Sequence, residues 1–161
     1  MGATIMKINI VVVGDLKEKY LSDACKEYIK RISRFHNINI VTVDEEKLPK
    51  LPNDADISKC LVKEGSKIDK LLKGYVIVLD VNGEQLDSVK FSKVIESASL
   101  NYDTITFVIG GSYGLSEMIK NKANIKLGFS KMTFPHQLFR VMLLEQIYRA
   151  TTISNHILYH K

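Results

Sequence analysis

Four apolar runs rich in β-branched residues recur along this 161-residue chain, and each ends at a glycine, aspartate or asparagine. Continuous runs of this kind are typical of strands that are buried on both faces of a parallel sheet. A fifth, shorter strand is predicted from Ile125 to Phe129. The four longer strands are predicted at Ile8–Val13, Ile38–Val43, Tyr75–Val81 and Thr104–Ile109.

The segments between these runs have apolar residues at helical spacing. Gly74 is predicted to end the second helix, and Ser88 to cap the start of the third. The segment from Asp44 to Asp56 has no period and two prolines, which predicts a surface loop. The helices are predicted at Leu16–Phe35, Ile57–Lys73, Ser88–Leu100, Leu115–Lys122 and from Pro135 to about Ala150. Alternating strands and helices predict a single α/β domain with a mostly parallel sheet flanked by helices.

Composition narrows the functional classes. Lys and Arg total 23 against 18 Asp and Glu, a net charge of +5, which permits an RNA partner without requiring one. Cys25 and Cys60 are isolated, as expected for reduced residues of a cytoplasmic protein. The run Ile8–Val13 is too short for a signal peptide or a membrane span. Met6 is expected to be the natural start, so that residues 1–5 are an extension and the domain spans 6–161.

Loops that follow strands carry the chemistry of open α/β sheets, because ligands bind beyond the carboxyl ends of the strands. Three such ends stand out: Leu79-Asp80, Gly110–Gly114 and Gly128–Phe134. The sequence GGSYG does not match GxGxxG, and no GxxxxGK[ST] occurs, so dinucleotide and triphosphate chemistry are disfavoured. On its own, the glycine loop is as compatible with a tight turn as with a binding site.

The stretch LGFSKMTFPHQLFRVMLLEQIYRA, from Leu127 to Ala150, combines a loop with an almost wholly apolar helix. Pro135 suits the first turn of that helix. His136, Gln137 and Arg140 are predicted on one side of it, and Glu145, Gln146 and Arg149 roughly opposite. So little solvated face remains that burial by the fold, by a partner subunit or by both is expected. Free N–H groups at the helix start favour a ligand pocket there.

The combination of FVIGGSYGL (Phe107–Leu115), the stretch above and the terminal Tyr159-His160-Lys161 closely resembles the RlmH family, SPOUT-class methyltransferases of large-subunit ribosomal RNA. The opening KINIVVVGDLKEKY resembles the start of that family as well. The similarity extends from Met6 to the end of the chain. It is most specific from Phe107 onward and weakest between Asp44 and Lys73.

The resemblance implies a fold, a cofactor and a reaction. The fold would be of SPOUT type with a C-terminal trefoil knot, and the protein a homodimer. The reaction would be methylation of N3 of a pseudouridine in 23S ribosomal RNA on assembled ribosomes. S-adenosylmethionine would bind Leu79, Gly110, Phe129, Ser130, Lys131, Met132, Thr133 and Phe134. Neither a membrane nor a metal is implied.

Candidate residues for the chemistry follow from the reaction, in which N3 must lose a proton. His136 and Arg140 are predicted to orient the substrate or stabilise the anion. Tyr159 and His160 could stack on and hydrogen-bond an extruded base. Arg149 and Lys161 are predicted to contact RNA.

Each of these assignments has a simpler alternative. His136 could be a structural hydrogen-bonder, Glu145 and Arg149 only a helix ion pair, and Tyr159-His160 a frayed tail. His36 and His156 are predicted to be surface residues. The whole chain could also be a non-catalytic ribosome-associated or nucleotide-binding module of the same fold.

Overall fold

The computed structural model describes residues 4–161 and shows five strands alternating with five helices in that part of the chain. Of the predicted extension, residues 1–3 lie outside the described residues. The elements in chain order are β1 (Lys7–Val13), α1 (Lys19–Ile32), β2 (Asn37–Val43), α2 (Asp54–Asp69), β3 (Tyr75–Gln85), α3 (Ser88–Ser99), β4 (Thr104–Ile109), α4 (Glu117–Lys122), β5 (Ile125–Gly128) and α5 (His136–Ser154). The predicted single α/β domain is therefore confirmed.

The five strands form one sheet in the order β2-β1-β4-β3-β5, and every pair is parallel. β4, at the centre of the sheet, is buried along its whole length, which explains its unbroken apolar sequence TITFVI. Since all strands run the same way, their carboxyl ends lie along one edge. The loops that follow β3, β4 and β5 consequently emerge side by side.

Two hydrophobic cores cover the two faces of the sheet. One core packs α1, α3 and α5 on the sheet, with Leu143, Leu144 and Ile147 of α5 wholly buried. The other packs α2 and α4 on the opposite face through Ile68 and Ile119. Each of these large side chains contributes about 1.5–3 kcal/mol by leaving water. The burial of α5 against α1 and α3 fixes where the predicted site residues of this helix lie.

Side-chain caps shift several helix boundaries from the predicted ones. α2 begins at Asp54 because Asn53 and Asp56 form a reciprocal capping box, so the predicted loop from Asp44 ends sooner. The N-cap of α3 is Asp87, which accepts a hydrogen bond from the Lys90 N–H, and the prediction of Ser88 is wrong. Pro135 occupies the N-cap position of α5, just before the first turn where it was predicted, and makes no side-chain capping bond.

The role of Gly74 and the end of β3 differ from the prediction. Gly74 does not cap α2, which ends at Asp69. It has a φ of +64° at the entrance to β3, where a Cβ would lie 2.0 Å from the Thr104 carbonyl oxygen. Asn82-Gly83 does not end β3, because the strand resumes pairing at Glu84 after a register shift. The chain therefore bulges between Leu79 and Glu84 beside β5.

His36 is buried, with 7% of its surface exposed, and the prediction of a surface residue is wrong for it. Its Nδ1 accepts a hydrogen bond of 3.0 Å from the Met6 N–H. That acceptor role requires Nδ1 to be unprotonated. Burial lowers the pKa of the His36 imidazole, which favours the same neutral form. His156 is exposed, as predicted.

We expect His36 to make stability depend on pH. The pKa of His36 is lower in the folded protein than in the unfolded chain. Its full contribution to stability is therefore present above the ordinary histidine pKa of about 6.5 and is lost as the pH falls below that value. His36→Asn keeps an acceptor for Met6 and should flatten this loss, leaving a cost of about 1 kcal/mol for the altered bond. Urea unfolding between pH 7.5 and pH 5 measures it.

The matched control is His156→Asn. His156 is exposed and has a φ of 55°, a conformation that asparagine tolerates. This control should keep the wild-type dependence of stability on pH. An equal loss of stability at low pH in wild type and His36→Asn would contradict the assignment.

Candidate active site at the carboxyl edge of the sheet

A cleft of about 710 Å³ lies at the carboxyl edge of the sheet. Its walls come from the three segments that the sequence singled out and from the start of α5. These segments are the bulge within β3 and the loops after β4 and β5. The residues that line it are Leu79–Asn82, Ile109–Leu115, Lys120, Leu127, Phe129, Ser130, Met132–His136 and Phe139. Three loops that are distant in sequence thus form one binding-sized cleft.

Seven of the eight residues predicted to bind the cofactor line this cleft. Lys131 does not line it, and its side chain is exposed. The seven are Leu79, Gly110, Phe129, Ser130, Met132, Thr133 and Phe134. The structure brings them together, and their role in binding stays a prediction.

Phe139 supports the loop after β5. Its ring lies 5.2 Å from that of Phe129 and 5.7 Å from that of Phe134, both measured between ring centroids. Within the loop, the Ser130 Oγ accepts a hydrogen bond of 3.1 Å from the Met132 N–H. No sequence pattern predicts this role of Phe139, because an apolar residue on an apolar helix is indistinguishable from a core residue.

An ion pair between Lys120 and Asp80 was also missed by sequence analysis. Lys120 Nζ lies 3.5 Å from a carboxylate oxygen of Asp80, and both residues line the cleft. The side chain of Asp80 is only 9% exposed, so the cleft contains a shielded charge of each sign. A half-buried ammonium group of this kind can pair with an anionic ligand group.

His136 and Arg140 are one turn apart but lie in different surroundings. His136 lines the cleft as the first residue of α5. Arg140 is buried, 4% exposed, and donates hydrogen bonds to the carbonyl oxygens of Val13 and Gly14 at the end of β1. Burial lowers the pKa of its guanidinium group. The structure therefore gives Arg140 a structural role, and a direct role in catalysis stays a prediction.

Tyr159 and His160, which are predicted to contact the substrate, follow α5 in the chain and pack together against that helix, away from the cleft. The Tyr159 hydroxyl donates a hydrogen bond of 3.1 Å to Glu145, and His160 Nδ1 lies 3.2 Å from an Arg149 nitrogen. Burial, together with Glu145, raises the pKa of Tyr159 to about 12. Its hydroxyl therefore stays protonated at neutral pH and is a hydrogen-bond donor there.

Arg149 forms an i,i+4 ion pair with Glu145, which is the simpler of the two roles predicted for it. Its Nε lies 3.0 Å from a carboxylate oxygen of Glu145. Lys161 is exposed. Contact of either residue with RNA stays a prediction. The frayed-tail alternative does not describe Tyr159 and His160, because both are half-buried and hydrogen-bonded.

A second cleft of about 770 Å³ lies between β5, the start of α3 and α5. It shares Leu127, Phe129, Ser130 and Phe134 with the first cleft, so the end of β5 and the loop after it separate the two. Its lining is largely apolar but includes Glu145 and His160. The loop and the C-terminal residues consequently border one continuous surface.

Comparison with known proteins decides the family. Residues 6–160 match the family described as Predicted SPOUT methyltransferase. The chain belongs to this SPOUT family. A ribosomal RNA large subunit methyltransferase H from Clostridium tetani is 50% identical over 97% of this chain and 100% of its own length. The protein of the same name from Streptococcus gordonii is 48% identical with the same coverage.

A solved structure supports the SPOUT fold. The tRNA (m1G37) methyltransferase from Aquifex aeolicus superposes with a TM-score of 0.56 at 11% identity, covering 98% of this chain and 74% of that one. At this identity the likeness concerns the fold alone. The family match and the relatives confirm the resemblance that the sequence motifs indicated.

Residues 4–161 contain neither a cluster of metal-ligating side chains nor a membrane-spanning helix. No group of three or more His, Cys, Asp or Glu side chains is arranged to hold a metal ion. No helix in this range is long and apolar enough to cross a membrane. Cys25 and Cys60 are both free and buried.

Proposed function

We propose that this SPOUT protein transfers a methyl group from S-adenosylmethionine to N3 of a pseudouridine in 23S ribosomal RNA on assembled ribosomes. The observation that carries the proposal is the cleft at the carboxyl edge, which assembles seven predicted cofactor residues in a chain of this family. The relatives named ribosomal RNA large subunit methyltransferase H support large-subunit RNA as the substrate.

The cleft fits S-adenosylmethionine in size and chemistry. Its volume of about 710 Å³ lies within the range of small-molecule sites. Leu79, Ile109 and Leu127 provide apolar walls. In residues 4–161, the backbone N–H groups of Lys131, Thr133 and Phe134 have no hydrogen-bond partner, so this loop can donate to an adenine. Asp80 and Lys120 can bind the charged amino-acid end.

The protein residues position the reactants and manage one proton. Bound S-adenosylmethionine supplies an electrophilic methyl group on its sulfonium. His136, at the edge of the cleft, orients the pseudouridine or stabilises the anion formed when N3 loses its proton. Tyr159 stacks its ring on the nucleobase, since its single O–H is donated to Glu145 and its raised pKa keeps it from accepting a proton near neutral pH. Most of the rate enhancement then comes from positioning.

The homodimer and the trefoil knot belong to the same proposal. The second cleft exposes a mainly apolar surface beside α5, which suits burial by a second copy of the chain. A Cβ at Gly128 would lie 2.9 Å from the Gly83 carbonyl oxygen and 3.0 Å from that of Asp80. This close approach is the pairing of β5 with the bulge of β3, and the trefoil knot is proposed from membership of the SPOUT family. Ribosomes as substrate place the activity in the cytoplasm.

The test is methyl transfer from labelled S-adenosylmethionine to ribosomes that lack the modification, prepared with and without prior pseudouridine formation. We expect label at N3 of one pseudouridine, and only where pseudouridine is present. Equal rates on naked RNA would contradict the requirement for assembled ribosomes. Cofactor binding without transfer would indicate a non-catalytic ribosome-associated module. Protection of the fold by ATP or NAD, but not by S-adenosylmethionine, would indicate a nucleotide-binding module.

Gly110→Ala is expected to weaken binding of S-adenosylmethionine by about 100-fold, equivalent to about 2.7 kcal/mol. A Cβ at this position would lie 2.4 Å from the Gly114 carbonyl oxygen, so the glycine loop on the cleft wall must move. Isothermal titration calorimetry measures the affinity, and thermal unfolding shows whether the domain stays folded. Unchanged affinity would show that the loop does not shape the cofactor site.

A further inference from the structure

The C-terminal tail, residues 156–161, returns to α5 only near its end. His156, Ile157 and Leu158 are exposed, Leu158 to 91% of its surface. Tyr159 and His160 are half-buried. Two backbone hydrogen bonds fix the start of the tail, from the His156 N–H to the Ile153 carbonyl oxygen and from the Ile157 N–H to the Thr152 carbonyl oxygen. The position of its last residues therefore depends on side-chain contacts.

Tyr159 makes three of these contacts, all with α5. Its ring packs edge-on against the Tyr148 ring, with centroids 4.9 Å apart. The guanidinium carbon of Arg149 lies 4.7 Å from the centre of the Tyr159 ring. The Tyr159 hydroxyl donates to Glu145. Tyr148 is thus the apolar wall against which the tail rests.

Tyr148 is itself supported from a different helix, α1. The Tyr28 ring lies 6.4 Å from the Tyr148 ring. The guanidinium carbon of Arg31 lies 5.5 Å from the Tyr28 ring centre and 5.6 Å from the Tyr148 ring centre, so one cation is close to both rings. Glu27 accepts a hydrogen bond of 3.0 Å from Arg31 Nε and holds the guanidinium in place.

We infer that Tyr28 and Arg31 of α1 are positioning residues that hold the C-terminal tail through the ring of Tyr148. Arg31 makes no described contact with Tyr159, whereas Tyr28 also lies close enough to contribute to the raised pKa of Tyr159. Neither residue was predicted to belong to the site. They act by restricting the rotamer of Tyr148, against which Tyr159 packs. The inferred effect of Tyr28 and Arg31 on the position of the tail rests on these contacts alone. Their inferred effect on methyl transfer also rests on the proposed function.

The physical reason is preorganisation. α1 is anchored in the core by Leu21, Cys25 and Ile32, so Arg31 extends from a rigid support. With Arg31 in place, Tyr148 is confined between α1 and the tail. Without it, Tyr148 has a wider choice of rotamers and Tyr159 loses a fixed surface. When a group that contacts the base is less often in position, the rate of the chemical step falls more than the affinity for the cofactor does.

The experiment compares Arg31→Met, which keeps apolar bulk but removes the cation, with Arg31→Lys, which keeps a cation. Tyr28→Leu removes the partner ring as a second, independent change. The matched control is Lys19→Met, on the same helix, where the lysine side chain is 88% exposed and pairs only with Asp23 in the described residues. Thermal unfolding establishes that every variant is folded.

Two readouts separate positioning from general damage. Carboxypeptidase Y should release Tyr159 about two- to fivefold faster from Arg31→Met and Tyr28→Leu than from wild type, because exposed cation–π contacts have about this strength. Methyl transfer to unmodified ribosomes should show kcat lower by a similar factor, with an unchanged KM for S-adenosylmethionine. Arg31→Lys should recover part of both losses, and Lys19→Met should match wild type.

Release of Tyr159 at the wild-type rate from Arg31→Met and Tyr28→Leu would overturn the inference. Faster release with unchanged kcat would overturn the consequence for methyl transfer, since the tail position would then not matter for transfer. Arg31→Lys as weak as Arg31→Met would contradict the part assigned to the cation. If wild type itself transfers no methyl group, the proposed function fails, and carboxypeptidase release still tests how the tail is held.

Discussion

Deletion of Tyr159, His160 and Lys161 should lower methyl transfer to ribosomes by about 100-fold or more, since correct positioning of a reacting base is worth at least that factor. Tyr159 and His160 are ordered against Glu145 and Arg149 and are available to contact a base. The affinity for S-adenosylmethionine should stay unchanged, because none of the three residues lines the first cleft. Single-turnover transfer and calorimetry measure the two quantities.

Lys161→Ala is the control for this deletion. Lys161 is exposed, and loss of one phosphate contact should lower transfer only by about two- to fivefold, as expected of a surface ion pair. Full activity of the truncated chain would refute a substrate role for the tail. A parallel loss of cofactor affinity would point instead to general disruption of α5.

Replacement of Arg140 by methionine is expected to lower the free energy of unfolding by about 2–4 kcal/mol, since buried charged hydrogen bonds are lost. The guanidinium is buried and satisfies the carbonyl oxygens of Val13 and Gly14, which join α5 to the end of β1. Methionine has similar length but no donor. Urea unfolding at neutral pH measures the change.

Arg34→Met provides the comparison, because Arg34 is exposed and should change stability by less than about 0.5 kcal/mol. If Arg140→Met were as stable as wild type but inactive, Arg140 would act in the chemistry, as the sequence alone suggested. Loss of stability, with residual transfer in the folded fraction, would support the structural role.

The starts of α2 and α3 show why local sequence signals did not predict every helix boundary. Asn53 and Asp56 form a capping box that can be recognised from sequence spacing, yet the surrounding prolines and charges favoured a loop. Asp87 and Ser88 are both acceptable caps, and only the backbone conformation selects Asp87. Ser88 instead donates a hydrogen bond to Gln146 on α5, a contact 58 residues away.

His36 illustrates a different limit. A histidine between a helix and a strand has no sequence signature of burial. It is buried because β1 and β2 pair in parallel, which brings Met6 next to the start of β2. The strand order that produces this contact depends on packing throughout the sheet.

The sequence by itself determined the alternation of strands and helices, the parallel sheet and the three loops that form the cleft. These features follow from apolar periodicity and from glycines at strand ends, which are local properties of the chain. Through its motifs the sequence also identified seven residues that line the cleft and the family to which the chain belongs.

Only the tertiary structure decided which groups meet across long sequence separations. Helical spacing predicted that Arg140 lies beside His136. Packing of α5 near the end of β1 instead buries the Arg140 side chain, which meets Gly14 across 126 residues of sequence. Tyr148 likewise meets Tyr28 and Arg31 only because α1 and α5 pack side by side. Helical periodicity gives the direction of a side chain around its own axis, and the neighbour that it meets depends on how the helices pack on the sheet.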